Sequence, residues 1–268
     1  MISVPDRPYS AEVLPRLTTR QIGRDYRYVD ETDSTNRDVA ALALVGADEG
    51  IMVVAGQQIS GKGRMTRVWF SPPDVNLYFS LLLRPDVELS RAVSLPLLMG
   101  LAVAEVVSVL APELTPLVKW PNDILIDGRK ACGILCEMHA ETDRVGHIIV
   151  GVGVNVNMPT AMLPVELCGR ATSLQIATGR VFSRVQVLAS ILNCFEPYYN
   201  QWRIEGFAPF VENLTQRDAL FGKRITLKQG GRVISGEAKG IQADGALLLA
   251  AAQGLEKIYS GETNIELG

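Results

Sequence analysis

At 268 residues with 47% hydrophobic and 21% charged content, the chain is long enough for one substantial core plus a small second domain. Its 26 basic and 29 acidic residues give a net charge of −3, which argues against nucleic acid as the main partner. Four cysteines, Cys132, Cys136, Cys168 and Cys194, lack the C-x-x-C spacing of zinc or redox sites and read as free thiols.

Asp6, Arg7 and Pro8 interrupt the charged-then-apolar pattern of a signal peptide, so a cytoplasmic protein is expected. Asp33-Ser34-Thr35 reads as a helix start, with Asn36 to Val45 apolar on one face. A buried strand follows at Ile51 to Ala55. Next comes a glycine-rich basic segment, Gln57 to Trp69. Gly61 and Gly63 let backbone N–H groups turn toward an anion, while Lys62, Arg64 and Arg67 place cations beside it. Composition alone favours a mobile basic surface loop over a phosphate cradle. Gly56, Gly61 and Lys62 satisfy G-x-x-x-x-G-K, but Gly63 stands where a P-loop needs the hydroxyl that holds Mg²⁺. A P-loop also needs a helix after the lysine, and Trp69-Phe70-Ser71-Pro72-Pro73 cannot be a helix interior.

A strand is expected at Asn76 to Leu83. The apolar run Ser94 to Pro112 contains Glu105, has Pro96 near its start and falls short of the roughly 20 apolar residues of a membrane span. It reads as a buried helix entered at proline, and no membrane association is expected. After a strand at Leu117 to Trp120, Ile124-Leu125-Ile126, Asp127-Gly128 and the residues through Lys130 to Glu137 read as a hairpin, because Asp-Gly supplies the two φ > 0 positions of its turn. The hairpin carries Lys119, Asn122, Asp123, Lys130 and Gly133 on its arms. A further strand, His147 to Asn157, and a long helix, Arg184 to Trp202, complete an α+β arrangement of a mixed or antiparallel sheet packed with helices. His139 and His147 adjoin no serine or cysteine nucleophile signature, which disfavours a triad hydrolase. After Phe221, short strands at Ile225 to Lys228, Val233 to Gly240, Ala246 to Ala251 and Glu256 to Tyr259 alternate with glycine turns, the pattern of a small barrel.

Five segments in order, Asp33-Ser34-Thr35-Asn36, the Gly61 to Trp69 loop, Lys119-Trp120-Pro121-Asn122-Asp123, Arg129 to Leu135, and Gly151-Val152-Gly153-Val154-Asn155, resemble the biotin protein ligases. The resemblance runs from about Tyr28 to the C-terminus. It implies an N-terminal extension over 1–27, a catalytic domain over 28–218 and an SH3-like β-barrel over 219–268. It also implies ATP and biotin as substrates, Mg²⁺, and a biotin carboxyl carrier protein as acceptor of the biotinyl group.

Residue by residue, the resemblance places Ser34, Thr35, Asn36 and Gln58 on biotin. Gly61, Lys62, Gly63 and Arg64 belong to the loop that closes over biotin and the adenylate. Lys130 faces the reacting carboxylate and phosphate, and it and Arg64 are the catalytic candidates. Gly133 lies against the biotin chain and Gly151 lines the same pocket. Arg67, Trp69, Asn122, Gly153 and Asn155 fall on the nucleotide side, with Asp123 near Mg²⁺. Lys119 is left undecided between positioning the strand and touching the nucleotide.

The chain departs from the family pattern at Lys62, where arginine is usual, and at Thr66, where glycine is. Lysine loses the planar fork, and a β-branched residue at a φ > 0 position is strained, so a different loop path is expected. Some family members carry a DNA-binding domain ahead of the ligase domain. Pro5, Pro8 and Pro15 divide the segment before Asp33, and no DNA binding is expected. A lipoate or octanoate ligase of the same fold, and a biotinyl-adenylate binder without turnover, are the alternatives. Pairing of an exposed strand of the central sheet with a second copy stays open.

Overall fold

The computed structural model describes residues 6–265; Pro5 and the last residues of the expected barrel lie outside them. Seven strands form the central sheet: β1 Tyr26–Thr32, β2 Met52–Gln58, β3 Leu77–Leu83, β4 Leu117–Lys119, β5 Asp123–Ile126, β6 Arg129–Glu141 and β7 Arg144–Val154. Their order is β1-β2-β3-β7-β6-β5-β4. Only β1 and β2 run parallel, so the sheet is mixed, as the α+β reading expected.

Alternation along β2 explains the layers. Met52 and Val54 face the main core with the helices Leu95–Leu110 and Arg184–Glu205. Val53, with Ile51 just before the strand, faces the other way onto Val39 and Ala43 of the helix Thr35–Leu44. A period of two thus sets a helix layer on each side of the sheet. The Leu95–Leu110 helix starts with proline in its first turn and has eleven fully buried residues, which accounts for its apolar composition. The hairpin turn is as expected: Asp127 and Gly128 stand at φ 50° and 73°.

The C-terminal strands β8 Arg224–Gln229, β9 Arg232–Ile241, β10 Leu247–Ala251, β11 Gly254–Ile258 and β12 Glu262–Ile265 form an antiparallel sheet ordered β11-β10-β9-β8-β12. The expected barrel is not closed by hydrogen bonds, because the end strands β11 and β12 do not pair. β12 faces the central domain instead: Thr263 Oγ1 donates to the Trp120 carbonyl at 3.1 Å. Trp120, only 1% exposed, returns a hydrogen bond from Nε1 to the Gly245 carbonyl at 3.1 Å. Ile225, Leu227 and Leu249 of this sheet join the same apolar core as the central sheet.

β1 and β12 were not read from the sequence. In β1 the order Tyr-Arg-Tyr-Val-Asp-Glu-Thr has no clean alternation, and no residue of this edge strand is fully buried.

Trp120 is therefore the peg between the sheets. Trp120→Ala is expected to cost about 3–5 kcal/mol of stability in chemical denaturation, the range for truncating a buried aromatic; a loss under about 1 kcal/mol would contradict the packing described.

Candidate active site

A cleft of about 930 Å³ opens between the cleft-facing ends of β5, β6 and β7, the glycine-rich loop and β12. That volume suits a substantial organic ligand.

One end is built on the start of the Thr35–Leu44 helix. Gln58 Oε1 accepts from Thr35 N at 3.0 Å and Thr35 Oγ1 at 3.2 Å, tying the helix start to β2. Ser80 Oγ lies 2.6 Å from both Thr35 Oγ1 and Asn36 Oδ1, and Asn36 Nδ2 donates to Glu137 Oε2 at 2.6 Å. The Asn36 amide is thus committed to the protein and shapes the floor. A Cβ at Gly151 would overlap that amide, so only glycine fits there. The Ser34 side chain, in the cleft wall, makes no capping bond.

The other end is cationic. Lys130 Nζ is 2.6 Å from Asp123 Oδ1 and 5.2 Å from the centre of the Trp69 ring. The Trp69 indole has room because two residues lack side chains: a Cβ at Gly133 would lie 2.8 Å from Trp69 Cζ3, and one at Gly153 would overlap the ring. Arg64 Nη1 donates to Asn122 Oδ1 at 3.2 Å, while Asn122 Nδ2 donates to the Ile134 carbonyl at 2.8 Å. Lys119 lines the same end. Burial lowers the pKa of both Arg64 and Lys119, partly offset by the Asp123 carboxylate. Each would be relieved by a bound anion.

The loop is held at several points. Trp69 N donates to the Gly61 carbonyl at 2.8 Å and Gly63 N to the Arg67 carbonyl at 2.7 Å. Lys62 Nζ stands 3.7 Å from Glu137 Oε1, and Arg67 pairs with Glu262 of β12. The Arg67 hydrogen bond holds the Glu262 carboxyl below its usual range. That tie is therefore present at neutral pH and loosens only as acid protonates Glu262.

All but one of the expected site residues line this cleft: Ser34, Thr35, Asn36, Gln58, Lys62, Gly63, Arg64, Arg67, Trp69, Asn122, Asp123, Lys130, Gly133, Gly151, Gly153 and Asn155. Gly61 does not; it sits behind the wall, where a Cβ would meet the Trp69 carbonyl at 2.6 Å, so its part is to let the loop close on itself. Asn155 is in the wall, yet its Nδ2 donates to the Thr172 carbonyl and its Oδ1 accepts from Asn76. The expected detour at Thr66 is not taken. Met65 and Thr66 both occupy the left-handed region, φ 54° and 61°, and Thr66 Oγ1 donates to the Met65 carbonyl at 2.6 Å. The chain accepts strain there.

Sequence reasoning missed Arg170, Ala171 and the β12 residues Glu262 to Ile265, all in the wall. The 167–172 segment is brought in by Lys130, whose N donates to the Arg170 carbonyl and whose carbonyl accepts from Thr172 N, both at 2.9 Å. A long-range backbone pairing of that kind leaves no local signal.

One cleft with an amide- and hydroxyl-lined floor and a cationic mouth is a site for a ligand that is polar at one end and anionic at the other. Residues 28–155 match the biotin/lipoate A/B protein ligase family and residues 220–263 the biotin protein ligase C-terminal domain. The chain is 40% identical over 269 residues to the bifunctional ligase/repressor BirA of Bacillus subtilis, covering 100% of this chain and 82% of that protein. It is 31% identical to the biotin--[acetyl-CoA-carboxylase] ligase of Paracoccus denitrificans, covering 86% of this chain and 96% of that one. Among solved structures, the Aquifex aeolicus biotin protein ligase in complex with biotin and ATP superposes with a TM-score of 0.78 at 29% identity, covering 93% of this chain and all of that one. The chain belongs to the biotin protein ligases.

Gly153→Ala is expected to push Trp69 off its seat and shift tryptophan emission to longer wavelength, with circular dichroism unchanged. An unchanged emission spectrum would contradict the close approach.

Proposed function

We propose that the protein activates biotin with ATP as biotinyl-5′-AMP and transfers the biotinyl group to a lysine of a biotin carboxyl carrier protein. The observation that carries this reading is Lys130, fixed by Asp123 beneath Trp69 at the junction of the polar floor and the cationic mouth. A biotin carboxylate reaching from the floor would meet the nucleotide at that point.

A carboxylate is a poor electrophile, and both reactants are anions. In the first step a carboxylate oxygen bonds to the α-phosphorus and pyrophosphate leaves. Lys130, Arg64 and Lys62 offset the repulsion between the reactants and stabilise the charge that develops on phosphate oxygens. Trp69 and the loop residues cover the mixed anhydride against water. In the second step the carrier's lysine amine attacks the acyl carbon, an amide forms and AMP leaves. No side chain of the enzyme becomes covalently bound.

Among the described residues no group of three or more His, Cys, Asp or Glu is arranged to hold a metal ion. That suits Mg²⁺, which keeps waters and substrate phosphates as ligands and needs one or two carboxylates from the protein. Asp123 would hold it, and it would supply charge neutralisation of the triphosphate.

DNA binding is not part of the proposed activity. A cytoplasmic location fits the proposed carrier substrate.

The test is the mass of a carrier domain after incubation with the protein, ATP and either biotin or lipoate. Biotin addition alone supports the proposal; lipoate addition, or pyrophosphate release with no modified carrier, would overturn it.

A further inference from the structure

On the far side of the glycine-rich loop from the cleft, Asp74 stands at the loop's C-terminal foot with φ 58°, a conformation that a non-glycine residue adopts at a cost. It is held there by two arginines. Arg7 spreads its guanidinium between Asp30 Oδ1 at 2.9 Å and Asp74 Oδ2 at 2.7 Å. Arg184, 1% exposed at the start of the Arg184–Glu205 helix, stands 3.7 Å from Asp74 Oδ1 and donates to the Asn76 carbonyl at 3.3 Å. Asp6 accepts from the Arg184 backbone N–H, so the same arm also caps that helix.

The cluster is dense and costly. Arg7 Nε and Tyr28 Oη are buried without a direct hydrogen-bond partner, while Asp74 Oδ1 and Arg184 Nη2 have only each other, as an ion pair at 3.7 Å. A Cβ at Gly56 would lie 2.7 Å from the Asp30 carbonyl oxygen and 2.8 Å from Tyr28 Oη. Buried polar atoms left unpaired lower stability, so the arrangement calls for a reason other than stability.

Its connections supply one. Asp74 N donates to the Gly56 carbonyl at 3.1 Å, closing the base of the loop. Pro72 and Pro73 make the chain between Asp74 and the Ser71–Trp69 stretch stiff. Ser71 Oγ accepts from Gln58 Nε2 and donates to the Trp69 carbonyl, both at 3.0 Å. A second branch runs from Arg184 through Asn76, whose Nδ2 is 3.3 Å from Asn155 Oδ1 in the cleft wall.

We infer that Arg7 and Asp74 are positioning residues: the fork from Asp30 to Asp74 fixes the foot of the glycine-rich loop and thereby the seat of Trp69 over the cleft. The arm ahead of β1 is thus a working part of the loop's mounting. Lysine at position 7 would keep the charge but lose the two separate nitrogens, Nη1 on Asp30 and Nη2 on Asp74, whose planar fork sets the spacing of the carboxylates.

The test compares Arg7→Gln, Arg7→Lys and Asp74→Asn with wild type, and uses Arg27→Gln, which removes an exposed pair with Asp25, as control. The first readout needs no ligand. Trp120 and Trp202 are 1% and 0% exposed, so acrylamide quenching of tryptophan fluorescence reports on Trp69. All three cluster variants are expected to raise the quenching constant about twofold or more, and the control to leave it unchanged. The second readout rests on the proposed biotin–ATP chemistry: the rate at which biotinyl-adenylate escapes into solvent is expected to rise about three- to tenfold. Variants with a lower melting temperature but wild-type quenching would overturn the inference, as would wild-type behaviour of Arg7→Lys in both readouts. Absence of adenylate in the wild type would refute the proposed function and leave the quenching comparison intact.

Discussion

Bringing two anions together in one cleft is the constraint around which this molecule is arranged. The repulsion is offset by lysines and arginines that would repel one another if they were unheld. Four have a counterpart: Lys130 has Asp123, Arg67 has Glu262, Lys62 has Glu137, and Arg64 leans on the Asn122 amide. These are exposed or half-exposed pairs worth little to stability by themselves. Their value is positional, since a cation already ordered need not be reorganised when the phosphate arrives.

The same arrangement accounts for the joining of two sheets. The cationic mouth draws residues from β5, β6, the glycine-rich loop and β12, so the C-terminal sheet must sit against the catalytic domain for the cleft to be complete. Trp120 provides the attachment from within the Lys119 to Asp123 motif itself, through one hydrogen bond given to Gly245 and one accepted from Thr263. A motif that reads as ligand-binding therefore divides its labour. Its flanking residues face the cleft while its tryptophan fastens the second sheet.

Much of the fold was legible because the signals were local. The Asp127-Gly128 turn, the start of the helix at Ser34 and the proline entry to the buried helix each rest on the conformational preference of one or two residues. What escaped rests on contacts distant in sequence. β1 is an edge strand with few apolar residues, and β12 is defined by pairing with β8. The site followed the same division. The ordered motifs, together with Gln58, led to sixteen residues of the cleft, but not to Arg170, which the backbone of Lys130 recruits from 40 residues away. Nor could sequence show that the amides of Asn36 and Asn155 are spent inside the protein, or that Thr66 would hold a left-handed conformation that glycine takes freely.

Lys130, held by Asp123 beside the Trp69 ring, stands where the carboxylate and nucleotide of the proposed reaction would meet. Single-turnover pyrophosphate release from biotin and ATP, compared between wild type and Lys130→Ala with the fold checked by melting, tests that placement most directly. A loss of about a hundredfold or more with stability nearly unchanged is expected, as for removal of a group that acts on developing charge. Release within about threefold of wild type would contradict it.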